Sequence, residues 1–165
     1  MARSIIWTVL FCIIAAILQS TLFSYIAVFK VVPDLALCIL VFSAYVNGTM
    51  TGQVSGFFSG LFIDFLSASP LGLHSLIHTL TGAITGIFKG AFNLDVIVMP
   101  VLLCSLATFF KAIVYFILHV IMGSAVPSYS FTSSLFWIEL GLNALFAPLL
   151  FLILKNFKPI LADRR

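Results

Sequence analysis

The stretch Gly52-Gln53-Val54-Ser55-Gly56-Phe57-Phe58-Ser59-Gly60-Leu61-Phe62-Ile63-Asp64 sets three glycines four residues apart and ends on a carboxylate. A second stretch mirrors it after a short turn containing Pro70: His74 and His78 lead, at the same spacing, to Gly82, Gly86 and Gly90. Residues four apart share nearly one face of a helix, so each stretch reads as a helix with a smooth glycine stripe and an ionisable tip. Such stripes let helix backbones approach closely inside a bilayer.

The composition places the stripes in lipid. With 62% hydrophobic residues, 8% charged residues and a mean hydropathy of +1.25, the chain has too little polar surface to cover its apolar groups in water. A spanning segment must satisfy its own backbone, and the apolar runs are continuous rather than alternating, so helices are expected and a barrel is not. About 20 apolar residues cross a bilayer, which gives 165 residues roughly six crossings in a single transmembrane domain, residues 1–165.

The expected helices run from Ile5 to about Phe29, from Pro33 to Asn47, from Thr51 to Leu66, from Leu71 to Phe88, from Val96 to Met122 and from Phe131 to Leu154. Pro33 suits a helix start, while Pro100 and Pro148 fall inside spans and should kink them. The first apolar stretch is longer than a signal-peptide core and lacks a small-residue cleavage site, so it is read as a retained helix. In a six-helix arrangement Arg3, Lys89, Lys155, Lys158, Arg164 and Arg165 share one side, with Lys30 alone on the other. The richer side marks the cytoplasm and holds both termini. The net charge of +3 then reflects anchors beside anionic membrane lipid; no dense basic patch or nucleic-acid motif is present. Cys12, Cys38 and Cys104 have no metal-type spacing and read as small apolar packers. The sequon Asn47-Gly48-Thr49 falls in a cytoplasmic turn, where no glycan is added.

A short set of polar groups remains at membrane depth. Asp64 falls at the outer end of the third helix and His74 and His78 at the outer start of the fourth, with Asp34 at the outer start of the second and His119 near the outer end of the fifth. Lys111 sits about 15 Å below that end, at the depth of Glu139 in the sixth helix. An unpaired charge at mid-membrane costs about 2.5 to 3.5 kcal/mol, so Lys111 and Glu139 are expected to pair, and replacing one should harm the protein more than replacing both. The pair reads either as a packing device for the fifth and sixth helices or as part of a site. The stripes of Gly52, Gly56 and Gly60 and of Gly82 and Gly86 likewise read as helix packing, or as the wall of a groove beneath Asp34, Asp64, His74 and His78 that receives a ligand or a partner's helix.

Enzymatic motifs do not fit. His74 and His78 have the spacing of a zinc-binding helix, but Ser75 stands where a metalloprotease needs its general-base glutamate. A non-catalytic metal site of His74, His78 and Asp64 is geometrically open, but two histidines on a packed helix are more often hydrogen-bonded structural groups, so no metal or cofactor is expected. The serines of the glycine run stand one place too late for a nucleophile elbow.

Gln19-Ser20-Thr21, Pro33-Asp34-Leu35, the run from Gly52 through Gly56-Phe57 and Gly60-Leu61 to Asp64, and the turn Pro70-Leu71-Gly72 together resemble the bacterial rod shape-determining family MreD, over residues Leu18 to Gly90. The resemblance implies a non-enzymatic, multi-pass inner-membrane component of the cell-elongation machinery and peptidoglycan biogenesis. Its implied partners are MreC, and RodA with its transpeptidase, directly or through MreC. It also implies the six-helix fold of the S-components of energy-coupling-factor (ECF) transporters, which carry an outward pocket. Two functions follow: a scaffold whose outer groove receives MreC, or a small-molecule-binding transport subunit. S-components dock their energising partner through Ala-x-x-x-Ala in the first helix, and Ala2, Ala15, Ala16 and Ala27 contain no such pair, which favours the scaffold.

Overall fold

The computed structural model describes residues 1–23, 31–67, 69–91, 97–126, 129 and 131–162. The described residues form seven α-helices: α1 (Ala2–Leu18), α2 (Leu35–Asn47), α3 (Thr49–Leu66), α4 (Leu73–Ile87), α5 (Val98–Met122), α6 (Ser134–Asn156) and α7 (Lys158–Leu161). No strand occurs among the described residues. Lys30, Arg164 and Arg165, used above to orient the chain, lie outside the described residues.

α2 is the axis of the fold. Every residue of it but Val46 is buried, because α1, α3, α4, α5 and α6 all pack around it. Its core includes Leu37, Leu40, Val41 and Phe42, the last meeting Phe151 of α6 edge to face at 5.1 Å. The outer helices turn large apolar side chains outward, among them Ile121 at 73% and Leu145 at 70% exposure. Ser43, Thr81, Thr108, Asn143, Lys111 and Glu139 are buried instead. This inside-out distribution suits a hydrocarbon solvent, in which only the interior offers hydrogen-bond partners.

Among the described residues three helical stretches are long and apolar enough to cross a membrane: Ala2–Thr21, Val98–Ala125 and Ser134–Asn156. The other three long helices fall short of the expectation for reasons of composition and length. α2 is apolar but has 13 residues, about 20 Å. α3 and α4 trade apolar side chains for the glycines, serines and threonines of their shared interface.

Several boundaries differ from those read in the sequence. The first α-helix stops at Leu18 and passes into a π-helical turn, Gln19–Phe23. Asp34 is the N-cap of α2, so Pro33 precedes the helix instead of opening it. Gly48 alone joins α2 to α3, at φ 101°, a conformation that favours glycine. Gly90 lies beyond α4, with open space around its Cα, and takes no part in the stripe. Pro100 is in the first turn of α5, where backbone N–H groups lack intrahelical acceptors anyway, and needs no kink; Pro148 is inside α6. α7 had no signal in the apolar pattern.

Basic groups gather at one end. Lys89 Nζ donates to the Asn47 carbonyl at 2.7 Å, Asn47 Nδ2 donates to the Leu161 carbonyl at 2.9 Å, and Phe157 packs on Phe11. The polar groups of interest lie at the opposite end of α2.

Candidate functional site

The glycine stripes are consumed by the α3–α4 contact. An added Cβ at Gly56 would stand 2.5 Å from the His78 carbonyl oxygen, and one at Gly60 would stand 2.5 Å from that of His74. Gly52 faces Gly82, and Gly86 faces Thr49 and Gly48, at backbone contact. This corrects the groove reading: Gly52, Gly56, Gly60, Gly82 and Gly86 are closed against one another and offer a partner no surface. Ser75 Oγ donates across the same seam to the Phe57 carbonyl at 3.1 Å.

The close approach puts the tip of α3 onto the start of α4. Asp64, 2% exposed, accepts the N–H groups of Gly72 at 3.0 Å and Ser75 at 3.1 Å through Oδ2, and that of His74 at 2.9 Å through Oδ1. It is an N-cap supplied by a neighbouring helix, where a carboxylate meets the positive end of the helix dipole. His74 Nδ1 lies 2.9 Å from the same Oδ1, and since a carboxylate can only accept there, Nδ1 carries a proton. His74 Nε2 is then free to accept from the Tyr115 hydroxyl at 3.2 Å.

A charged cluster stands beside this cap. Lys111 Nζ from α5 donates to Glu139 Oε1 of α6 at 2.7 Å and to Asp34 Oδ2 at 2.6 Å. The sequence pairs Lys111 with Glu139; Asp34 is the third member, 77 residues from Lys111. Each carboxylate oxygen has a donor. Leu37 N–H, at 3.0 Å, serves Asp34 Oδ1, and the Tyr129 hydroxyl serves Glu139 Oε2 through a short hydrogen bond. Burial, and then the adjacent Glu139 carboxylate, push the Tyr129 hydroxyl up from its ordinary pKa, so it stays a donor.

Sequence reasoning missed the supporting residues. Asn143 Oδ1 accepts the Asp34 backbone N–H at 2.7 Å, while its Nδ2 donates to Thr108 Oγ1 at 2.9 Å. Gln19 reaches from the end of α1 to donate to the Pro33 carbonyl at 3.0 Å and to accept from Ala36 N–H at 3.1 Å. Asn143, at membrane depth in α6, was the one with a usable signal. In the sequence Gln19 stands out only within Gln19-Ser20-Thr21.

These groups wall a cavity of about 330 Å³ at the end of the bundle away from Lys89. Asp34, His74, His78, Lys111 and Glu139 line it, with Gln19 and Ser67. Asp64 sits behind the wall, and none of the glycines reaches it. His119 is apart, its Nδ1 2.7 Å from the Val126 carbonyl. No group of three or more potential metal ligands occurs among the described residues.

Comparison with protein families matches residues 1–157 to the family model described as rod shape-determining protein MreD. The match extends well past Gly90, to the end of α6. No curated protein and no solved structure matches the chain.

Proposed function

The chain belongs to the rod shape-determining protein MreD family, and from that premise we propose that it is a non-enzymatic scaffold of the elongation machinery. In this reading six helices cross the inner membrane with both termini in the cytoplasm, and the charged cavity opens towards the periplasm. The cavity receives MreC, and through it, or directly, RodA and its transpeptidase are held in place.

The observation that carries the proposal is the cavity of about 330 Å³ whose wall concentrates Asp34, Lys111 and Glu139. Ionisable groups are expensive at membrane depth and are retained there for packing or for a site. A pure packing contact would close over its charges, whereas this one opens to a space. The glycine faces are already occupied, so docking falls to the cavity mouth.

The test is co-purification of the full chain with MreC in mild detergent, together with rescue of rod shape in depleted cells. Glu139→Gln should weaken the complex and the rescue, while Leu145→Ala on the outer face should leave both intact. An undiminished complex with Glu139→Gln and with His78→Leu would overturn the docking reading.

A second reading is favoured by the size of the cavity, which falls within the range of small-molecule sites. In it the chain is a ligand-binding transport subunit resembling the ECF S-components.

A further inference from the structure

The cavity wall leaves one charge and one lone pair unmatched. Asp34 and Glu139 set two carboxylates against the single ammonium of Lys111, at 2.6 and 2.7 Å. His78, 1% exposed, lines the same space. Its Nδ1 is 3.5 Å from Ser59 Oγ, whose only proton is directed to the Gly56 carbonyl at 3.2 Å. With that proton on the Gly56 carbonyl Ser59 accepts from His78, and in this arrangement of the neutral ring Nδ1 carries the proton and Nε2 is an acceptor. Among the described residues Nε2 meets no donor. His74 differs, because both of its ring nitrogens are engaged.

An occupant that satisfies both features is positively charged and rich in N–H donors. The geometry points to a site for an alkyl ammonium or guanidinium group, held by the Asp34 and Glu139 carboxylates and donating to His78 Nε2. An anion would add to the excess negative charge. A neutral alcohol would leave that charge unbalanced, and hard metal cations favour all-oxygen shells over an imidazole lone pair. The assignment rests on the docking reading and gives it a chemistry: the group is the end of a basic side chain on the partner, or a free amine.

The test uses the full chain in detergent with Ser20→Cys at the cavity mouth; Cys12, Cys38 and Cys104 are buried. Labelling of the new thiol by a neutral maleimide is timed with n-butylguanidinium, n-butylammonium, n-butanol or butyrate present. The two cations should slow labelling about threefold at twice their dissociation constant, by mass action, and the other two should not. The protection should disappear in Glu139→Gln and in His78→Leu, two independent variants should one fold poorly. Equal protection by butanol or butyrate, or protection that survives both substitutions, overturns the assignment. Repeating the labelling on the MreC complex separates the sources. Protection without added amine, lost when basic residues of MreC are neutralised, assigns a side chain; protection only on adding amine assigns a free ligand. Both outcomes uphold the cation site. Because the first measurement uses the isolated chain, it stands even if MreC docks elsewhere.

Discussion

Asp64 Oδ1 accepts both the backbone N–H and the ring Nδ1 of His74, each at 2.9 Å, so one carboxylate at the end of α3 starts α4 and orients its first histidine. Asp64→Asn places an amide, half of it a donor, against the donors of Gly72, His74 and Ser75. The expected loss is about 1–3 kcal/mol, since buried donors are left without acceptors. Thermal melts of the full chain in detergent would check it; a melting temperature within error of the native value would refute the capping role.

The charged cluster has two acids and one base, which makes its members unequal. Removing Lys111 as methionine leaves two facing carboxylates without a counter-charge and should destabilise by roughly 3–5 kcal/mol. Glu139→Gln leaves the Lys111–Asp34 pair standing and should be milder. The triple variant Asp34→Asn, Lys111→Met, Glu139→Gln should recover part of the loss of Lys111→Met. Melts and membrane expression levels order the three, and an equal effect of the two single changes would argue against the shared lysine.

Glycine positions divide by what faces them. Gly56→Ala puts a methyl against the backbone of α4 and should cost roughly 1–3 kcal/mol by overpacking. Gly141, in α6 with open space around it, should gain about 0.5–1 kcal/mol as alanine from helix propensity. Paired melts of the two variants test this contrast, which disappears if α3 and α4 do not touch.

Topology is open to labelling in spheroplasts. Ser69→Cys, between α3 and α4, should react with an impermeant maleimide from outside, and Ala162→Cys, after α7, only once the membrane is permeabilised. Reaction of both from the same side would overturn the six-span orientation.

Individual residues show what could be read in advance. The sequence pairs Lys111 with Glu139 because each charge is too costly to leave in lipid, which requires only their place along apolar helices. Asp34 was placed at the right end of the bundle, yet nothing in its neighbours points to α5. The sequence makes Asp64 a helix tip lining a groove; the turn through Pro70 and Gly72 folds α4 back onto it and makes it a cap. The glycine spacing gave helix packing, but whether the stripe faced another helix or an open space depended on the partner surface. Asn143 and Gln19 act on the backbone ends of α2, and such caps involve residues remote in sequence.

The sequence by itself therefore determined the apolar character of the chain, its helical state and the position of each ionisable group along its helix, because transfer free energy and helical periodicity are properties of single segments. Only the tertiary structure decided which groups meet. A buried polar atom needs a partner but not a particular one; the packed glycines of α3 and α4 give Asp64 to the start of α4, and the packing of α5 and α6 on α2 leaves Asp34 and Glu139 to Lys111.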